Sequence, residues 1–195
     1  MPTILSHIAA PLALGLGLGR RTVPKRLLFA GLVASVLPDI DVLAFRLNVA
    51  YSDALGHRGV THSVIFAFAL ALLALACARQ LRTSRSIAFS FVGLSAVSHG
   101  LLDMITNGGL GVALWWPWSS ARFFAPWQVI EVSPLGLGRV FSARGLAVLQ
   151  SELIWVWLPA VAVAMALFAV RTLGSNLVFN RQSATSTAEE VKQHP

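Results

Sequence analysis

A chain of 195 residues lies within the range of one domain, yet 56% of it is hydrophobic and only 12% is charged, a balance that points away from an ordinary soluble domain and towards a membrane protein. The net charge of +7 does not indicate nucleic acid, because the basic residues fall in short clusters between apolar runs and not in a continuous patch interleaved with aromatics. Cys77 is the sole cysteine and sits in an apolar run, so neither a disulfide framework nor a cysteine metal site is available.

The first apolar segment, residues 3–19, carries His7 near its start and Gly15, Gly17 and Gly19 near its end. Glycine weakens a helix but permits close helix packing in lipid. No positive charge precedes this segment, whereas Arg20, Arg21, Lys25 and Arg26 follow it; that is the reverse of a secretory signal, so it reads as a structural first helix. Segment two, residues 27–45, contains Leu37-Pro38-Asp39-Ile40-Asp41 in its outer third. Ionised side chains in hydrocarbon cost several kcal/mol and normally face a cavity or a partner. A loop over 46–61 leads through His57-Arg58-Gly59-Val60-Thr61-His62-Ser63 into segment three, residues 63–80, with Thr61 or Ser63 as its cap. Arg79, Arg82 and Arg85 form the next basic turn, and segment four, residues 86–105, bears His99 and Asp103 near its far end before Thr106-Asn107-Gly108-Gly109 stops it. The long connection over 110–150 clusters Trp115, Trp116, Trp118, Phe123, Phe124 and Trp127 around Pro117 and Pro126, the composition of a loop at the bilayer interface or folded over the bundle end. Segment five, residues 152–171, begins with Glu152 and contains Pro159.

The predicted architecture is therefore all-α: a polytopic membrane bundle of about five helices with an aromatic-rich interfacial loop, occupying residues 1–171, followed by a polar, disordered cytoplasmic tail over 172–195. The basic turns at Arg20, Arg21, Lys25, Arg26 and at Arg79, Arg82, Arg85, with Arg171, Arg181 and Lys192 after segment five, outnumber Arg46, Arg58, Arg122, Arg139 and Arg144 on the other face. The excess of positive charge assigns the former to the cytoplasm and the N-terminus to the outside. His7, Asp39, Asp41, His57, His62, His99 and Asp103 then all fall at one membrane depth, near the outer face.

His99 and Asp103 are four apart on a helix and share a face. Together with the other imidazoles and carboxylates they form a set suited to zinc, with manganese or iron less suited. Asp39 and Asp41, two apart, point differently in a regular helix; irregularity at Pro38 allows one to ligate while the other orients a histidine. Each residue also has a plainer reading. A lone histidine near a helix end is ordinarily interfacial, the two aspartates can pair with Arg46 or Arg58, and His99 with Asp103 can be a simple hydrogen-bonded pair. Glu152 can pair with Arg122 or Arg144, Cys77 is most simply core, and the tryptophans an interfacial belt. Of the two island histidines, His62 at the helix start is the better placed ligand, and Arg58 reads as the anion partner.

The ordered series His7, Leu37-Pro38-Asp39-Ile40-Asp41, His57-Arg58-Gly59-Val60-Thr61-His62-Ser63, His99-Gly100-Leu101-Leu102-Asp103 and Thr106-Asn107-Gly108-Gly109 resembles the bacterial membrane-bound metal-dependent hydrolase family, the YdjM-like inner-membrane proteins, over residues 1–170. That family is distantly similar to zinc-dependent phospholipase C and the single-strand-specific nucleases. The resemblance implies metal ligands at His7, Asp39, His57 or His62, His99 and Asp103. The soluble relatives use a second His and Asp pair that this chain lacks after Asp103, so one or two ions are expected.

The expected function is metal-assisted hydrolysis of a phosphoester or other ester near the outer face of a bacterial inner membrane, with Asp41 as proton acceptor and Arg58 stabilising negative charge. The expected partners are membrane lipid and an amphiphilic or phosphorylated substrate, without nucleic acid. The alternatives are an ion-coupled transporter and a non-enzymatic protein whose metal staples helix ends. The orientation has a direct test: a reporter active only in the cytoplasm is expected to work when fused after Pro195, and an inactive fusion there overturns the assigned side.

Overall fold

Where apolar runs are bounded by basic turns, the backbone satisfies its own hydrogen bonds as helix, the only open course in hydrocarbon for a chain that does not close a barrel. The computed structural model describes residues 1–133 and 142–174; Arg139 and the polar tail beyond 174, both used in the topology argument, lie outside the described residues. The helices are α1 (Ile4–His7), α2 (Ala9–Leu18), α3 (Lys25–Val36), α4 (Val64–Ala76), α5 (Arg85–Met104) and α6 (Ala143–Glu152). Since α1 and α2 form one interrupted segment, five helical units result, and no named strand forms among the described residues. Three stretches are long and apolar enough to cross a membrane: Lys25–Leu47, Arg85–Met104 and Ala143–Gly174.

The centre of the bundle is α5, against which both α3 and α4 pack. Small residues make this possible. Ala67, Ala71 and Ala74 of α4 recur at helical spacing and are buried with Ala88, Phe91, Val92 and Ala96 of α5. A Cβ at Gly31 of α3 would come within 2.4 Å of Phe91, so α3 lies on α5 at a distance only glycine allows. In lipid there is no hydrophobic drive between helices, and such close backbone approach supplies the attraction as dispersion.

Two element boundaries differ from the sequence expectation. Segment three is helical only over Val64–Ala76 and passes into turns from Cys77 to Arg82, with Arg82 in the left-handed region at φ 59°. Cys77 is consequently half-buried at a helix end and is no core residue. Segment five starts at Ala143, not at 152, because the Ser142 hydroxyl caps it by accepting from the Gly145 amide at 3.2 Å. A π-helical turn over Leu153–Trp157 then continues the helix to Gly174. Pro159 has no N–H to offer the carbonyl four residues back, and the ladder widens just before it.

The aromatic connection folds over one end of the bundle. It is pinned by backbone bonds from Ala125 to the Met104 carbonyl, from Ile130 to Ile105, and from Val64 to Leu114, while Trp115, Trp118 and Trp127 stay exposed. Replacing Gly31 by leucine is expected to pry α3 from α5 and destabilise the bundle by about 2 kcal/mol. A lowered unfolding midpoint in detergent checks this, and an unchanged midpoint would show that the two helices do not depend on that contact.

Candidate metal centre

Proline sets the geometry of two of the segments that build the site. Pro11 cannot donate to the carbonyl of His7 and its ring crowds that carbonyl, so the first helix breaks after His7 and restarts at Ala9. His7 is left at the break, fully buried. In the second segment Pro38 ends the α-helical ladder of α3, and the chain continues as a 3-10 helix over Leu37–Leu47. With three residues per turn, Asp39 and Asp41 are 240° apart and address different partners.

The loop before α4 is built on close backbone packing. A Cβ at Gly59 would meet the Ala54 carbonyl at 2.1 Å, so the turn needs glycine there. Arg58 takes a left-handed φ of 62° and is fully buried. Its amide donates to Asp41 Oδ2 at 3.1 Å, its Nη1 to the Gly108 carbonyl at 2.6 Å and its Nη2 to Asp103 Oδ1 at 3.3 Å. The guanidinium is thereby turned onto Asp103, with Nε 3.0 Å from Oδ2. Arg122 holds the same loop from outside by donating to the carbonyls of Tyr51, Asp53 and His57. Ser63 is the cap of α4, accepting from Phe66 at 3.2 Å, while the Thr61 hydroxyl donates to Asp41 Oδ2 at 2.6 Å.

On α5, His99 and Asp103 share one face and are both fully buried. His99 Nδ1 is 2.7 Å from the Ser35 carbonyl, an obligate acceptor, so Nδ1 carries the proton and Nε2 turns its lone pair into the site. Facing it at 2.9 Å is Nε2 of His62, whose other nitrogen lies 3.2 Å from Asp41 Oδ2. Two lone pairs that face each other at this distance need a proton or a metal ion between them. Asp39 Oδ1 stands 3.4 Å from His99 Nε2 and 4.0 Å from His62 Nε2, and Asp103 Oδ2 stands 3.1 Å from His62 Nε2. One ligand atom from each of Asp39, His62, His99 and Asp103 lies within 4.8 Å of all the others.

A second group, Asp41, His57 and His62, adjoins the first through His62. Asp41 Oδ1 is 2.6 Å from His57 Nδ1. His7 stands beside the first group: its ring stacks on His99 at 3.8 Å, and its Nε2 is 3.7 Å from Asp39 Oδ2. All eight residues singled out in the sequence, His7, Asp39, Asp41, His57, Arg58, His62, His99 and Asp103, therefore meet at one end of the bundle.

The donor set fits a divalent cation. Both oxygens of Asp39, both ring nitrogens of His7 and Asp103 Oδ2 are buried and make no aligned hydrogen bond, a state that buried polar atoms rarely keep without a ligand. Asp39, Asp41 and Asp103 are all buried with one obligate cation, Arg58, among them. Burial by itself pushes the His62 imidazole down, but its short polar contacts with Asp103 and Asp41, reinforced by their charges, outweigh this and hold it at about 9. A proton on His62 and a metal ion thus answer the same excess of negative charge.

Glu152 is a residue whose position the sequence left open. It does not meet Arg122 or Arg144. The inward stripe of α6 is Gly145, Val148, Glu152 and Val156, and there the buried carboxylate accepts from the Thr3 amide and, at 2.7 Å, from the Thr3 hydroxyl. Glu152 thereby anchors the start of the segment that carries His7. Its spacing of four residues from both Val148 and Val156 was the available signal.

Fold and site together define a polytopic, all-helical membrane protein with a buried histidine and aspartate cluster at one end. The chain belongs to the YdjM inner membrane protein family, whose model matches residues 1–177. It is also 51% identical over 162 residues to the inner membrane protein YbcI of Escherichia coli (strain K12), covering 83% of this chain and 94% of that one. No solved structure matches it.

Because His62 is protonated below about 9 and must lose that proton to bind a metal, zinc uptake near neutral pH is expected to release about one proton per ion. The apparent zinc affinity should rise about tenfold per pH unit until His62 deprotonates. Zinc titration of purified protein in weakly buffered detergent with a pH indicator checks this; uptake without proton release would show that no proton on His62 competes with the ion.

Proposed function

We propose that this inner-membrane protein is a metal-dependent hydrolase that holds one or two zinc ions and cleaves a phosphoester or other ester of an amphiphilic substrate near the outer face of the membrane. The observation that supports it is the convergence of Asp39, His62, His99 and Asp103 on a common point 4.8 Å across at most. Two imidazoles and two carboxylates suit zinc, whereas magnesium or calcium favour oxygen alone. When bound, the ion supplies Lewis acidity that acidifies water and polarises a phosphoryl or carbonyl oxygen.

The remaining residues have separate tasks. Asp41 fixes the orientation of His62 through Nδ1 and holds His57 Nδ1 at 2.6 Å; the His57–Asp41 pair takes up the proton that leaves the attacking water, at the free ring nitrogen of His57. Arg58 acts through Asp103, whose carboxylate it orients from behind. His7 stacks on His99 and restricts its ring.

A second reading follows from burial: the four ligand residues are at most 8% exposed, which also suits an ion that only staples helix ends. Hydrolysis separates the two. Turnover of an amphiphilic phosphoester in detergent micelles is expected to vanish on chelation and return with zinc. Asp41→Asn should slow it about a hundredfold and weaken zinc binding, since Asp41 orients the ligand His62. The double variant His99→Ala, Asp103→Ala should lose both zinc and activity. Retained activity in that variant would overturn the site, and bound zinc that raises the unfolding midpoint without any turnover would establish the staple.

A further inference from the structure

The structure has a further feature that the metal cluster does not use, a groove along α3 whose mouth lies at the end of the bundle opposite to the cluster. Helices α3 and α4 both pack on α5 but barely touch each other, and this groove of about 620 Å³ runs between them. Phe29, Val33 and Leu37 form one wall and Leu70 and Leu73 the other, with Val92 of α5 as the floor. Phe29 and Leu73 are more than 60% exposed. The walls are apolar along their length, and at one end the groove is closed by Lys25 and Arg26 together with Gln80. Arg26 reaches across this mouth, its Nη1 donating to the Gln80 carbonyl at 3.1 Å.

We propose that this groove binds an anionic phospholipid, with one acyl chain lying between α3 and α4 and the phosphate held by Lys25 and Arg26. From Arg26 to Leu37 the α3 wall is about 16 Å long, half the thickness of a hydrocarbon core and so the reach of an acyl chain in one leaflet. The charge fits the same occupant. Arg20, Arg21, Lys25 and Arg26 lie in the turn before α3 and at its start, and Arg79, Arg82 and Arg85 in the turn between α4 and α5, whereas the described acidic residues are Asp39, Asp41, Asp53, Asp103, Glu131 and Glu152, none of them in these two turns. A cationic mouth on an apolar slot between membrane helices is a headgroup site. A soluble anion would find the charge but would leave the slot to be filled by something else, and a zwitterionic lipid would fill the slot but bring an ammonium to a mouth that offers only cations. The proposal does not depend on hydrolysis at the metal cluster.

Native mass spectrometry of the full chain in detergent, titrated with phosphatidylglycerol or with phosphatidylcholine of the same acyl chains, tests this. One retained phosphatidylglycerol per chain is expected, bound more tightly than phosphatidylcholine, and Lys25→Gln with Arg26→Gln is expected to weaken it about thirtyfold. Val33→Trp, which fills the slot at a lipid-facing position and keeps both cations, should also displace it. Zinc content should be unchanged in both variants, which reports that the metal end of the bundle remains folded. Equal retention of the two lipids, or phosphatidylglycerol binding unaffected by either substitution, would overturn the proposal. Displacement of the lipid by millimolar inorganic phosphate alone would overturn the role of the slot, since a site that also grips the acyl chain resists that competitor.

Discussion

Three aspartates buried at one end of an apolar bundle, with the Arg58 guanidinium beside them, are the constraint on which the arrangement depends. Asp39, Asp41 and Asp103 would each be costly to ionise in a medium of low dielectric without compensation. Arg58 answers part of that charge at Asp103; the remainder falls on imidazoles that approach from α1, from the loop before α4 and from α5. The cluster therefore draws together four regions that are far apart in sequence. Arg58, held at a positive φ, serves two of these carboxylates at once, its amide donating to Asp41 and its side chain to Asp103.

Prolines and glycines place the chain for this task more than the helices do. Pro11 breaks the first helix beside His7, and Pro38 converts the end of α3 to a tighter winding that turns Asp39 towards His7 and His99 and Asp41 towards His57 and His62. Gly59 lets the loop carrying His57 and Arg58 close upon itself. The hydrogen bonds that fix the imidazoles come from groups that cannot donate, the Ser35 carbonyl and the Asp41 carboxylate, so the other nitrogen of each ring is committed to the common point. This is the usual support for a metal-ligating histidine.

Much of this was readable from the residues because ionisable side chains in apolar runs are rare enough to stand out. His7, Asp39, His62, His99 and Asp103 were noticeable for that reason, and the basic turns marked the segments. The five helical units and the aromatic cover over the bundle end followed from the same pattern. What was not readable is what depends on neighbours. The end of α4 at Ala76 leaves Cys77 at a groove, with no Gly or Pro to announce it. The early start of α6 was hidden because Arg144 and Glu152 break the apolar run, although Ser142 supplies a cap. Arg58 was expected to face an anion, but its partner lies forty-five residues away on α5, a pairing that spacing cannot reveal.

The shortness of α4 has a consequence for the bilayer around it. Thirteen residues of α-helix rise about 20 Å, against a hydrocarbon core of about 30 Å, whereas the Ala143–Gly174 stretch of 32 residues exceeds it. Such hydrophobic mismatch is relieved by local thinning of the bilayer or by recession of the short helix below the headgroups. Recession sets the cap of α4, with His62 and Ser63, among acyl chains, whereas thinning draws the headgroups down to it. In both cases the lipid around the histidine end of the bundle is locally out of step with the lipid around the longest helix.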